Sequence, residues 1–161
     1  MRPTLYLTEG APVAVVGVHL HKDFMRYAVL EGTKQSPVLV AKDRLKTPDP
    51  SDVPALMDWY ETQFAKLLSD HKPDRMGYRL TLNPDKSQLM HSEFPLGVLN
   101  LLAHKMSIPV CPYTAQSFTP SKLGLSRGTD LQVHCDSVFG THPPYWDNNQ
   151  KYAVLAAWFE L

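Results

Sequence analysis

The sequence is poor in several features that would mark a specialised small protein. Two cysteines among 161 residues, Cys111 and Cys135, have no metal-type spacing and no third partner. This excludes a disulfide scaffold or a zinc ribbon and leaves buried, reduced thiols as the expectation. Net charge is lacking too, with Lys plus Arg equal to Asp plus Glu at 16 each. A domain that grips phosphate backbones usually carries a basic excess, so any affinity for nucleic acid has to be local. The apolar run at 13–18 is far too short to cross a bilayer, and Met1-Arg2-Pro3 is not followed by a secretory apolar stretch with a small-residue cleavage site. A soluble, cytoplasmic protein without a membrane partner is expected. Glycine-rich phosphate loops are missing: Gly17 stands alone in the first apolar run, and neither G-x-G-x-x-G nor the P-loop lysine occurs, which argues against a doubly wound nucleotide fold. Charge blocks, low-complexity tracts and repeats are absent, and the 14 prolines lie at segment edges. The expected organisation is an N-terminal arm of residues 1–11, with a short strand at Thr4–Leu7, and one domain over 12–161.

What is present is a legible order of segments. Residues 13–20 form a β-branched apolar run between Ala11-Pro12 and Lys22-Asp23, which suits a central strand covered on both faces. Strands at Met25–Leu30 and Val38–Leu45, separated by Glu31-Gly32-Thr33-Lys34, complete an antiparallel meander. Asp49-Pro50 then predicts a helix start, and Val53, Leu56, Met57, Tyr60, Phe64, Leu67 and Leu68 recur at helical spacing. A fourth strand is predicted at Arg75–Leu82. A second helix is predicted at Ser92–Met106, with Val98, Leu101, Leu102 and Met106 inward, and a fifth strand at Ile108–Tyr113. Helices at Asp130–Phe139 and Asn148–Leu161 follow, divided by His142-Pro143-Pro144; Ala153, Ala156 and Ala157 would let the last lie close to the sheet. Trp59, Tyr60 and Trp158 read as core, whereas Tyr145-Trp146 is either an exposed anchor for a partner or a packed loop. Three antiparallel strands followed by helix, strand, helix, strand and terminal helices is the order of a ribonuclease-H-like α/β fold, a five-stranded mixed sheet flanked by helices.

Within that frame, Ile108-Pro109-Val110 leading to Tyr113-Thr114-Ala115-Gln116, then Gly124, then Gln132-Val133, resembles the run of the RuvC Holliday-junction resolvases from strand five through their basic loop into the next helix. Tyr152-Ala153-Val154-Leu155-Ala156-Ala157-Trp158 is similar to the alanine-rich last helix of that family and of its small RuvC-like relatives. The resemblance spans about residues 12–160. It implies four carboxylates around two divalent metals, which activate a water and stabilise the leaving oxygen of a phosphodiester displacement. The address of the first acid, in strand one, holds His19. That of the second, closing strand four, holds Arg79, and those of the third and fourth, one turn apart in the last helix, hold Asn149 and Tyr152.

With no carboxylate at any address, the resemblance implies a degenerate, non-catalytic site with no metal or other cofactor, since magnesium wants charged oxygens. His19-Leu20-His21 reads as a transition-metal pair or as a histidine filling the emptied cavity with hydrogen bonds. The candidate nucleic-acid-binding residues are Arg79, Lys86, Lys122 and Arg127, set against a surface that also carries Asp58, Glu61, Asp70 and Glu93. Two functions stay open. One is a non-catalytic nucleic-acid-binding or scaffold subunit, with DNA, RNA or protein partners and a homodimer formed through helix one. The other is a magnesium- or manganese-dependent nuclease with a rearranged site recruiting Asp147, Asp136, Asp23 or Glu31.

Overall fold

The computed structural model describes residues 13–161; the predicted arm strand at Thr4–Leu7 lies outside them. Strands β1 (Ala14–His21), β2 (Phe24–Gly32) and β3 (Pro37–Lys46) form the antiparallel meander, and β4 (Arg75–Arg79) and β5 (Val110–Tyr113) add in parallel to give the order β3-β2-β1-β4-β5. This is the five-stranded mixed sheet expected of a ribonuclease-H-like fold. The strictly alternating side chains of β1 divide the core in two. Val16, Val18 and Leu20 pack with Leu56, Tyr60, Phe64 and Leu68 of α1 (Val53–His71) and with Leu96, Leu99 and Ala103 of α3 (Phe94–Lys105). Val15 faces the other way, toward Ala153, Val154, Ala156 and Ala157 of α5 (Asn148–Trp158) and Cys135 of α4 (Leu131–Phe139).

Three predicted details need correction. The start of α1 is three residues later than Asp49-Pro50 implies: Asp52 is the cap, accepting from the Ala55 amide at 3.1 Å, with Pro54 in the first turn, while Asp49 closes a turn by accepting from the Ser51 amide. Two acid-proline signals lie three residues apart, and sequence alone cannot rank them. The fourth strand ends at Arg79, and the following helical segment starts at Lys86, as the short α2 (Lys86–Gln88), passing through a π turn at Leu89–Glu93 into α3. In α3, Leu96, Leu99 and Ala103 are buried and the predicted Val98 and Leu102 pack against the core, while Leu101 and Met106, also predicted inward, are about half exposed, at 54% and 46%. Phe94 and Leu101 make the outer side of α3 apolar as well, so periodicity alone did not separate the two sides. By contrast, α1 turns Asp58, Glu61, Lys66 and Asp70 outward. Cys135 is buried as predicted; Cys111 is only partly so.

The close seating of α5 depends on two glycines paired in register, Gly17 of β1 and Gly77 of β4. A Cβ on Gly17 would lie 1.9 Å from the Ala153 carbonyl oxygen and 2.4 Å from the Ala157 nitrogen; one on Gly77 would lie 2.4 Å from the Ala156 carbonyl oxygen. Helix backbone therefore rests directly on strand backbone, and the first turn of α5 is pressed against the ends of β1 and β4. Asp147 caps this helix, accepting from the Gln150 amide at 2.8 Å. The fully buried Gln150 ties it to β2 by donating to the Tyr27 carbonyl at 2.9 Å.

Candidate nucleic-acid interface

The register of the sheet and the seating of α5 bring the four predicted positions together. His19 is buried on the α5 side, where its Nε2 donates to Asn149 Oδ1 at 3.2 Å and its ring meets that of Tyr152 edge-on at 5.4 Å. The Arg79 guanidinium lies 4.0 Å over the centre of the Tyr152 ring. Burial, and next the Arg79 charge, push the His19 pKa down to about 3, so the imidazole is neutral at ordinary pH. His21 stacks on His19 with centroids 5.8 Å apart. Its pKa is also lowered, by burial first and then by Arg26, Lys22 and Arg79, with Asp147 acting in the opposite sense.

These donors do not suit a magnesium or manganese ion. A neutral imidazole, an amide, a phenol and a guanidinium supply no charged oxygen, and the guanidinium repels a cation. No three His, Cys, Asp or Glu side chains gather as a ligand set among the described residues. The acids considered as substitutes are placed elsewhere or engaged. Asp136 accepts from Trp146 Nε1 at 2.6 Å and from Lys151 Nζ at 3.0 Å. Glu31 pairs with Ala14 at the opposite end of β1, and Asp23 is exposed in the β1–β2 turn. Asp147 alone is near enough to be felt by His21 and Arg26.

The same face of the sheet carries a row of three arginines around the neutral His19. His19 pairs with Arg26, and Arg26 with Arg44. Arg79 stands one residue beyond the Val18–Tyr78 pair. The line Arg44–Arg26–His19–Arg79 thus crosses four strands, spanning on the order of 14 Å at the usual strand spacing. Arg26 is only 4% exposed and donates to the His21 carbonyl at 3.3 Å. The Nε atoms of Arg26, Arg44 and Arg79 are buried without a partner, and no arginine of the row reaches a carboxylate among the described residues. Unpaired buried guanidinium donors are costly unless an anion meets them. Two hollows of about 220 Å³ each adjoin the row and share Thr81. One is lined by Arg79, Leu80 and Gln116, the other by His21, Lys22, Ser87 and His91.

Of the predicted nucleic-acid contacts, only Arg79 belongs to this row. Lys86 is exposed at the start of α2, Lys122 donates back to the Ser117 carbonyl at 3.1 Å, and Arg127 is exposed in the turn before α4. Arg26 and Arg44 were missed in the sequence reading. Their signal was a charged residue alternating with apolar ones in two adjacent strands, but aligning them needed the register across the irregularity at Val29/Leu30.

No protein-family model matches the sequence, and no curated protein does. Solved structures match strongly. RuvC of Thermus thermophilus in complex with a Holliday junction substrate aligns at a TM-score of 0.73 and 13% identity, over 91% of each chain. The yeast mitochondrial Holliday junction resolvase aligns at 0.61 and 10%, over 90% of this chain and 76% of that one. The fowlpox virus resolvase with Holliday junction DNA aligns at 0.54 and 12%, over 91% and 98%. Identities this low speak to architecture alone, and on that footing the chain has the ribonuclease-H-like fold of the RuvC branch.

Proposed function

We propose that this domain is a non-cleaving relative of the resolvases that binds the phosphate backbone of branched DNA directly, through built-in cations, where a resolvase would use metal ions. The observation that carries the reading is the row Arg44–Arg26–His19–Arg79, which has no carboxylate partner among the described residues and includes, at His19 and Arg79, two of the addresses where the resemblance implies acids. A phosphodiester is the anion this geometry suits, because guanidinium groups match its oxygens in pairs.

Gel retardation of a labelled four-way DNA junction is expected to show binding that persists in EDTA and weakens steeply with salt, as counterion release requires. Arg79→Ala should weaken it by roughly tenfold or more and reduce the salt slope by about one. Incubation with magnesium or manganese should leave junction, single-stranded and RNA–DNA hybrid substrates uncut. Cutting that disappears in Asp147→Asn would overturn the proposal in favour of a rearranged nuclease, and no retardation at low salt would leave only a protein scaffold.

His21 adds a pH signature. In the free domain burial, and then Arg26, Lys22 and Arg79, disfavour its protonated form. Bound phosphates offset those charges and favour the imidazolium, so binding takes up a proton and tightens as pH falls. Binding isotherms at a series of pH values should show it, and His21→Gln should flatten the profile.

A further inference from the structure

A second feature lies beside the arginine row, on the segment that joins α4 to α5. Arg44 is sandwiched between two aromatic rings, its guanidinium carbon 4.2 Å from the centroid of Phe24 and 4.2 Å from that of Tyr145. Tyr145 is exposed and holds a left-handed backbone, φ +66°, a conformation that side-chain-bearing residues adopt only when their surroundings impose it. Beside it, the Pro144 carbonyl accepts from Lys42 Nζ at 2.6 Å, and the same ammonium lies 5.9 Å from the Tyr145 ring. Alongside, Lys42 and His142 line a shallow hollow of about 200 Å³ with Leu39, Val40 and Ala41.

We infer that the outer face of Tyr145 is a stacking platform for an unpaired nucleobase, with Lys42 and Arg44 holding the phosphate beside it. The inference deepens the function proposed above and rests on it. A ring backed by a guanidinium and flanked by an ammonium is suited to an electron-rich planar partner that brings its own negative charge, which describes a nucleotide. An apolar peptide segment would instead strip water from two cations and give them nothing in return. Asp43, the acid between them in sequence, points to the opposite side of the sheet among Met25, Tyr27 and Leu45, so it does not oppose a phosphate here. Continuity with the row is direct, because Arg44 belongs to both, and Arg26 lies 5.3 Å from the Phe24 ring. A strand whose backbone follows the row therefore has a place to lay down a base that has left its helix. The domain then favours DNA with unpaired bases over continuous duplex.

The experiment uses two DNA hairpins of equal length, one fully paired and one with a single bulged 2-aminopurine, titrated into the full chain at fixed salt. The parent protein is expected to bind the bulged hairpin about tenfold more tightly and to quench its fluorescence. In Tyr145→Ala the affinity ratio should fall toward one and the quenching should vanish, while Tyr145→Phe, which keeps the ring, should retain both. A parent protein that binds both hairpins equally, or a Tyr145→Ala variant that keeps ratio and quenching, would overturn the platform and leave the phosphate row standing. A parent protein that binds neither hairpin overturns both readings, and retention of a protein partner by Tyr145 in that case would identify the loop as a protein anchor.

Discussion

Replacing Gly17 with alanine is expected to leave little or no folded protein. The added methyl has to occupy a point 1.9 Å from the Ala153 carbonyl oxygen and 2.4 Å from the Ala157 nitrogen, and both are backbone atoms of a helix that is itself buried. Neither can turn aside as a side-chain tip would, so α5 must lift away from β1. Lifting it opens the cluster of Val15, Ala153, Val154, Ala156 and Ala157 and separates His19 from Asn149. Interiors packed at crystal-like density do not absorb such a shift locally. A loss of roughly 4–5 kcal/mol or more is a large part of the about 5–15 kcal/mol total stability of a domain, and it unfolds the chain outright when that total lies near the lower end. The matched control is Gly97→Ala on α3, where an added Cβ meets nothing within 4 Å; there the gain in helix propensity should stabilise the chain by about 0.5–1 kcal/mol. Urea denaturation followed by circular dichroism separates the two. A Gly17→Ala protein as stable as its parent would show that the helix does not rest on the strand.

The second large effect is the dependence of stability on pH imposed by His19. In the unfolded chain this imidazole titrates near its ordinary value of 6.5, whereas in the folded protein it is held at about 3. Between those values the unfolded state carries one proton that the folded state does not, so acid favours unfolding. The contribution is fully present above pH 6.5 and is lost as pH falls toward 3, at about 1.4 kcal/mol per pH unit. From pH 8 to pH 5 this one residue should lower stability by roughly 2 kcal/mol. His19→Gln cannot acquire that proton, and its side chain can still donate to Asn149. The difference in unfolding free energy between parent and variant should therefore change with pH over this window and level off above about pH 7. Parallel curves from pH 4 to 8 would mean that the ring titrates normally and is not sealed between the sheet and α5.

The elements were largely legible in the sequence because their signals are local. The β-branched run before Lys22, the tyrosine and leucine spacing along α1, and the alanines of α5 each identify an element without reference to the rest of the chain. Their order was enough to imply the mixed sheet, and the resemblance to the resolvases singled out His19, Arg79, Asn149 and Tyr152, which the structure brings together. Where two local signals competed, the sequence could not choose. Asp49 and Asp52 both resemble a helix cap, and α3 is apolar on two sides, so the choice fell to tertiary packing.

The functional surface divides in the same way. That His19, Arg79, Asn149 and Tyr152 include no carboxylate is a property of residue identity and needed no coordinates. That Arg26 and Arg44 extend those positions into a row depends on a strand register interrupted between Val29 and Leu30, and register is a long-range property, since slipping by one residue turns every side chain to the other face. The seat of Tyr145 over Arg44 is more remote still, joining residues about a hundred positions apart through a loop with no periodic signal. Residue chemistry and short-range periodicity thus determined which groups this chain can offer, and only the three-dimensional packing, which acts between segments distant in sequence, decided which of them stand together.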